Sequence, residues 1–340
     1  MAKKKTEPRA EPTFGATDAP TRASLLHSML LQRRFEERCA EAYALGKIGG
    51  FCHLYIGQEA VSTGILPLLR ADDYVITTYR DHAQAILRGI APRRVMAALF
   101  GRVDGCSKGK GGSMHMFDRD VNFLGGHGIV GGHVPIATGV GFAIKYRGGD
   151  QVIVCFMGEA AVNNGAFHES LNMAGLWKLP VVYVIENNKY GMGTSERRSS
   201  STMEMYKRGD TYSMANALVD GQDVFAVREA AAAAIARART TGEATLLEVR
   251  TDRFVGHSMS DAVSGTYRTK AELEEALKRD PINLLKARMT AAGELDDASL
   301  QVVEQEIAAT VQDAWDFADA SPEPPPESLY EDVLVETTSG

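Results

Sequence analysis

The chain has 340 residues, 44% of them hydrophobic and 24% charged, with a formal net charge of -7. This balance gives a globular protein with apolar mass for one large core or two smaller ones, and the lack of a basic field argues against a nucleic-acid partner. No apolar stretch approaches the ~20 residues of a membrane span, the polar N-terminus lacks the apolar core of a secretory signal, and Cys39, Cys52, Cys106 and Cys155 form no CxxC pair; reduced thiols, no membrane partner and a cytoplasmic location are expected.

Residues 1–20, rich in Pro, Glu and Lys, are expected to be a disordered lead, 21–320 one large domain, and 321–340 an extended Pro-rich tail. Leu25, Leu26, Met29, Leu30, Phe35 and Ala42 recur at helical spacing and predict a helix over 24–45, closed by Gly46. GGFCHLYIGQEA then turns into a second helix over 59–69, and a strand over 74–78 delivers Tyr79 and Arg80 at its end. Between Gly101 and Gly141 glycine is dense, which implies tight turns and close backbone approach to a ligand or another chain. Neither glycine segment is a P-loop, because Gly111 follows Lys110 where Ser or Thr is required, and no GxGxxG opens a helix after a strand. ATP and dinucleotides lose ground accordingly. An Ala-rich helix over 224–239 and a strand over 245–250 lead to the loop containing GHSMSD, and three amphipathic helices follow near 270–279, 282–292 and 297–319. Strands alternating with helices predict an α/β fold, a doubly wound and mostly parallel sheet with additional C-terminal helices.

The most informative stretch is 152–190. Two apolar runs, 152–157 and 181–185, flank a segment with helical apolar spacing, a strand-helix-strand unit. Each run has an oxygen donor just past its end, Glu159 after the first, Asn187 and Asn188 after the second. In a parallel unit both carboxyl ends lie on one sheet edge, so the carboxylate and the amide oxygen converge on one point. That point suits a phosphate-bearing ligand neutralised by Mg²⁺, which takes oxygen ligands and is usually held by only one or two protein carboxylates. Glu159 alone could equally cap the following helix.

With these residues assembled, the chain resembles the alpha subunits of the thiamine-diphosphate-dependent first component of pyruvate dehydrogenase complexes. The likeness runs from about Leu25 to the C-terminal helices and is carried by GFCHLYIGQEA, TTYRDH, GKGGSMHMF, GGHGIVGGHVP, NMAGLWKLP, ENNKYGMGTS, YKRGD, GHSMSD and DPINLLKARM. It implies a thiamine diphosphate-binding fold with thiamine diphosphate and Mg²⁺ as cofactors. The metal ligands it implies are Glu159, the Asn188 side chain and the Tyr190 carbonyl, with Gly158, Ala160 and Ala161 beside the cofactor. It further implies that Tyr79, Arg80 and His257 contact the diphosphate or the substrate region, that the backbone of Gly128 and Val130 holds the aminopyrimidine, and that His53 stands close to the active centre. His257 and His53 are the candidate catalytic residues. His82, His115, His127, His133 and His168 read as structural or peripheral.

Three positions depart from the family pattern: Glu159 stands for the usual Asp, Ala160 for the usual Gly, and Val255 for the first His of an HGH pair. Ser258 lies where some relatives are phosphorylated. The implied activity is oxidative decarboxylation of pyruvate, with the cofactor as electron sink and transfer of the acetyl group to a lipoyl domain of the acyltransferase component. The carboxylate that activates the aminopyrimidine comes from a separate beta subunit in the family, so an α₂β₂ heterotetramer is implied. Acetoin dehydrogenase, a branched-chain 2-oxoacid dehydrogenase and a non-catalytic paralogue are the alternative readings.

Overall fold

The computed structural model describes residues 14–262, 265, 267–331 and 333. In chain order the elements are α1 (Ala19–Ala44), α2 (Glu59–Ile65), β1 (Tyr74–Thr78), α3 (His82–Arg88), α4 (Pro92–Leu99), β2 (Phe123–His127), α5 (Val134–Tyr146), β3 (Ile153–Gly158), α6 (Gly165–Trp177) and β4 (Val181–Asn187). A two-residue hairpin, β5 (Tyr190–Gly191) with β6 (Thr194–Ser195), then precedes α7 (Glu196–Ser199), β7 (Ala215–Asp220), α8 (Val224–Thr241), β8 (Thr245–Arg250), α9 (Lys270–Leu277), α10 (Pro281–Ala291) and α11 (Asp297–Ala320).

Six strands form one sheet in the order β2-β1-β3-β4-β8-β7, and every neighbouring pair is parallel. The two central strands are apolar almost throughout because both of their faces are covered. Alternate residues of β3 point to opposite cores: Val154 and Phe156 join Phe35, Val184 and Leu247, whereas Ile153, Cys155 and Met157 join Phe167, Leu171 and Ile185. All four cysteines are free, and three of them are buried.

The chain steps from β1 outward to β2, then returns to β3 on the other side of β1 and continues toward β4. That reversal is a topological switch point, where the loops after neighbouring strands part and leave a crevice at the carboxyl edge. Tyr79 and Arg80 leave β1 there, Glu159 leaves β3, and Asn188 leaves β4.

Several boundaries differ from the sequence reading. Residues 1–13 of the expected lead lie outside the described residues, but Phe14–Ala16 forms a 3-10 turn and α1 starts at Ala19, capped by Asp18, whose side chain accepts from Thr21 N. Phe14 is anchored edge-on against Phe225, at 5.6 Å between ring centroids. In the expected tail, Pro326–Tyr330 forms a 3-10 turn. The second helix stops at Ile65 and continues as a 3-10 turn through the Pro67 region. Helix α5, inside the glycine-dense segment, and strands β2 and β7 had no clear signal: β2 reads FLGGH and β7 reads ANALVD, both poor in β-branched residues. Tertiary pairing holds them as strands.

Candidate active site

A cavity of about 540 Å³ opens at the carboxyl edge of the sheet, at the switch point. The residues that the family likeness assigned to the site all line it: His53, Tyr79, Arg80, Gly128, Val130, Gly158, Glu159, Ala160, Ala161, Asn188, Tyr190 and His257. Pairing of β3 with β4 puts Gly158 opposite Glu186, so the next residues of both strands emerge side by side. The strand-helix-strand unit over 152–190 differs from expectation in one respect: a 3-10 turn over Glu159–Asn163 intervenes before α6. Asn187 and Asn188 also part company. Asn187 donates to Glu196 and Glu248 (2.7 and 2.9 Å), away from the cavity, while Asn188 faces it.

Glu159 is only 2% exposed, and its Oε1 has no hydrogen-bond partner. Burial raises its pKa to about 7, against the opposing pull of Arg253. A buried carboxylate oxygen without a donor is costly in a protein interior, and a cation relieves it. Nearby, Asn188 Oδ1 and the Tyr190 carbonyl both accept from the same nitrogen, Nη1 of Arg253, at 3.3 and 3.4 Å. Three oxygens of the kind that hard cations prefer thus stand around one region, two of them already drawn to a positive charge. This donor set fits Mg²⁺. Ala160 is accommodated because position 191 is glycine: a Cβ on Gly191 would come within 2.5 Å of the Ala160 methyl.

Facing these oxygens is a wall of rings and guanidinium groups. His53 lies 4.5 Å from Tyr79 and 5.1 Å from His257 between ring centroids, and Tyr79 lies 5.7 Å from His257. Arg80 is buried at the end of β1 and donates to the carbonyls of Leu54 and His257, so one side chain ties together the two segments that carry the histidines. Burial, reinforced by Arg80, pushes His53 down to about 2 and His257 to about 4, and burial brings Arg80 itself to about 10. Near neutral pH this wall holds two neutral imidazoles beside two guanidinium cations, a field that favours an anion. The backbone of Gly128 lies over the His115 ring, where an added Cβ would stand 3.2 Å from it, and Asn164 donates to the Val130 carbonyl at 3.0 Å.

The chain matches the dehydrogenase E1 component family over residues 27–327. It belongs to the dehydrogenase E1 component family. Among curated relatives, it is 48% identical over 308 residues to the pyruvate dehydrogenase E1 component subunit alpha of Rhizobium meliloti, covering 90% of this chain and 88% of that one. The corresponding Rickettsia bellii protein is 46% identical, over 90% of this chain and 94% of its own length. A chloroplastic subunit alpha-3 from Oryza sativa is 45% identical over 96% of this chain and 79% of its own.

This E1 component also brings to the cavity residues that the sequence did not single out. Gln58 accepts from Asn188 Nδ2 at 3.0 Å and so turns the amide oxygen inward. Glu186, buried beside Glu159, is pushed to about 7 by burial, and its Oε1 accepts from Tyr55 Oη. Arg253 is buried and also donates to Tyr267 Oη at 2.7 Å. His127 and His133, read as peripheral, line the cavity as a stacked pair, with His133 Nε2 at 2.7 Å from the Phe156 carbonyl. A polar residue at a strand end was the available signal for Glu186; Arg253 had only its place in the loop after β8. Of the remaining histidines, His168 pairs with Tyr212 Oη outside the cavity, and His82 is buried behind its wall.

Proposed function

We propose that this chain is the alpha subunit of a pyruvate dehydrogenase E1 component, which decarboxylates pyruvate and passes the acetyl group to a lipoyl domain. The observation that carries the reading is the convergence of a buried carboxylate with one unpartnered oxygen, an amide oxygen, a carbonyl, two guanidinium groups and two neutral imidazoles on one cavity at the switch point. Such a cavity takes an anionic ligand with a cation between it and the protein.

Thiamine diphosphate, when bound, supplies the electron sink for loss of CO₂ from a 2-oxoacid. Glu159, Asn188 Oδ1 and the Tyr190 carbonyl would hold Mg²⁺, while Tyr79, Arg80 and His257 would face the diphosphate. The backbone of Gly128 and Val130 would hold the aminopyrimidine, and Gly158, Ala160 and Ala161 would lie beside the cofactor. His53, neutral and packed on Tyr79 and His257, is placed to hydrogen-bond the substrate's developing charge without adding a competing cation. Open space beside Gly158, where a Cβ would meet nothing within 4 Å, leaves room for the ligand.

A beta subunit completes the site. Helices α5 and α6 leave Ile136, Phe142, Tyr146, Leu176 and Trp177 exposed, and Ile129 and Val130 continue this apolar surface to the cavity mouth. A patch of that kind marks a protein interface. No helix among the described residues is long and apolar enough to cross a membrane, and a cytoplasmic location is proposed with that.

The test is 2-oxoacid-dependent reduction of an artificial electron acceptor by the chain co-purified with its beta partner, with Mg²⁺ and thiamine diphosphate. Pyruvate, 2-oxoisovalerate and acetoin are compared. A preference for pyruvate is expected. Preference for either of the others moves the chain to a sister activity, and inactivity on all three removes the enzymatic reading.

A further inference from the structure

Behind the cavity wall lies a buried cluster that the proposed mechanism does not use. Glu36, on α1, is 1% exposed, and each of its carboxylate oxygens has a separate task. Oε1 accepts from the backbone N–H of Tyr55 at 3.1 Å, and Oε2 lies 2.9 Å from Nδ1 of His82, at the start of α3. The other nitrogen of His82, Nε2, lies 2.8 Å from Ser113 Oγ and 3.2 Å from the Ser113 carbonyl. Glu36, His82 and Ser113 therefore form one hydrogen-bonded chain among fully buried side chains.

Each end of that chain reaches a wall of the active cavity. Tyr55 closes the segment that carries His53, and its hydroxyl donates to Glu186 in the cavity lining. Ser113 sits in the short 3-10 turn Gly112–Met114; Met114 lines the cavity, and the next residue, His115, supports Gly128 from below. His115 Nδ1 lies 3.2 Å from the Gly126 carbonyl, which joins this turn to β2. One carboxylate on the N-terminal helix thus sets both the His53 wall and the Gly128 wall.

Glu36, Cys39 and His82 also bring ligand-type atoms within 4.8 Å of one another. Both Glu36 oxygens and both His82 nitrogens are already hydrogen-bonded within the protein, so the cluster is satisfied without an ion.

We propose that Glu36 is a positioning residue for this E1 component: through Tyr55 on one oxygen and through His82 and Ser113 on the other, it fixes the spacing between the wall that bears His53 and the wall formed by Gly128. The assignment rests on the functional reading above for its substrate, while its effect on cofactor affinity does not depend on which 2-oxoacid is used. Misplacing a positioned group by about 1 Å can cost on the order of 100-fold in rate.

The experiment uses the complex with the beta partner and the variants Glu36→Gln, Ser113→Ala, Ser113→Thr and the double variant Glu36→Gln with Ser113→Ala. Thiamine diphosphate affinity is read by calorimetry and kcat and KM by pyruvate turnover, each on protein shown to be folded by circular dichroism. Ser113→Ala removes only the last link, so it keeps the test alive if Glu36→Gln folds poorly. We expect about tenfold weaker cofactor binding and on the order of 10-fold to 100-fold lower kcat in Glu36→Gln and Ser113→Ala. Recovery is expected in Ser113→Thr, which keeps the hydroxyl, and the double variant should be no worse than the worse single one, because both act through one chain. Unchanged affinity and kcat in folded Glu36→Gln and Ser113→Ala, or fully additive losses, would overturn the proposal, as would stoichiometric zinc in the purified wild type. If the wild-type complex binds the cofactor but does not turn over pyruvate, the functional reading fails, and the calorimetric results still decide the role of Glu36.

Discussion

Glu159 shows how a single residue can point to a cation site. Its carboxylate is buried, one oxygen has no donor, and burial raises its pKa to about 7. Replacing Glu159 or Asn188 by Ala is expected to abolish Mg²⁺-dependent binding of thiamine diphosphate by calorimetry, with Glu159→Asp retaining it; undiminished affinity in both Ala variants would remove the site. A second buried acid, Asp81, accepts from Met116 N with one oxygen and has no partner for the other. Burial, opposed by His82, raises it from 3.8 to about 7. Below about pH 4 the folded and unfolded chains both hold this proton; between about 4 and 7 only the folded chain does, so stability falls as pH rises and levels off above 7. Asp81→Asn removes the titration. Its melting temperature should exceed wild type by a margin that grows from pH 4 to pH 7 and is constant beyond, and a margin independent of pH would refute this.

Among the elements, three helices are locked by one buried ion network. Arg33 on α1 pairs with Glu59 at the start of α2 (2.5 Å) and with Asp280, the N-cap of α10 (2.9 Å). Burial raises the pKa of Glu59 and Arg33 opposes that rise, so removing the guanidinium leaves an uncompensated buried acid. Arg33→Ala should therefore cost about 3–5 kcal/mol, read from the denaturant midpoint at unchanged slope. A cost below about 1 kcal/mol would show that Glu59 is relieved by protonation or water. The starts of α8, α10 and α11 were legible because their signals are local: Asp223, Asp280 and Asp296 all accept from N–H groups two or three residues on, whereas the start of α1, capped by Asp18, was read five residues late at 24. Strands β3, β4 and β8 were legible as apolar runs. Strands β2 and β7 and helix α5 were not, since glycine and alanine say little about which partner will hold them.

At the scale of the whole molecule, the exposed apolar face of α5 and α6 is the surface proposed for the beta subunit. Tyr146 is 83% exposed and Trp177 40%, with Phe142 packed between them at 6.1 and 5.5 Å between ring centroids. Phe142→Asp should leave the chain folded but prevent co-purification with the beta partner and abolish turnover, read by sedimentation and by acceptor reduction. Retained assembly would place the interface elsewhere, and turnover by the isolated wild-type chain would remove the need for a partner.

The sequence by itself determined the fold class and the strand-helix-strand unit that brings Glu159 and Asn188 to one sheet edge, because apolar periodicity and strand-end polar residues are local features of the chain; His53, Gly128, Val130 and His257 came from the likeness to the family's motifs, and Gln58, Glu186 and Arg253 from neither. Only the tertiary structure decided that Asn188 faces the cavity while Asn187 turns to Glu196 and Glu248, that Arg253 stands against the Asn188 and Tyr190 oxygens, and that Glu36 reaches both walls. Those contacts join residues from 9 to 65 positions apart, and their geometry is set by strand register and by side-chain orientation across the folded sheet, which no local pattern in the chain encodes.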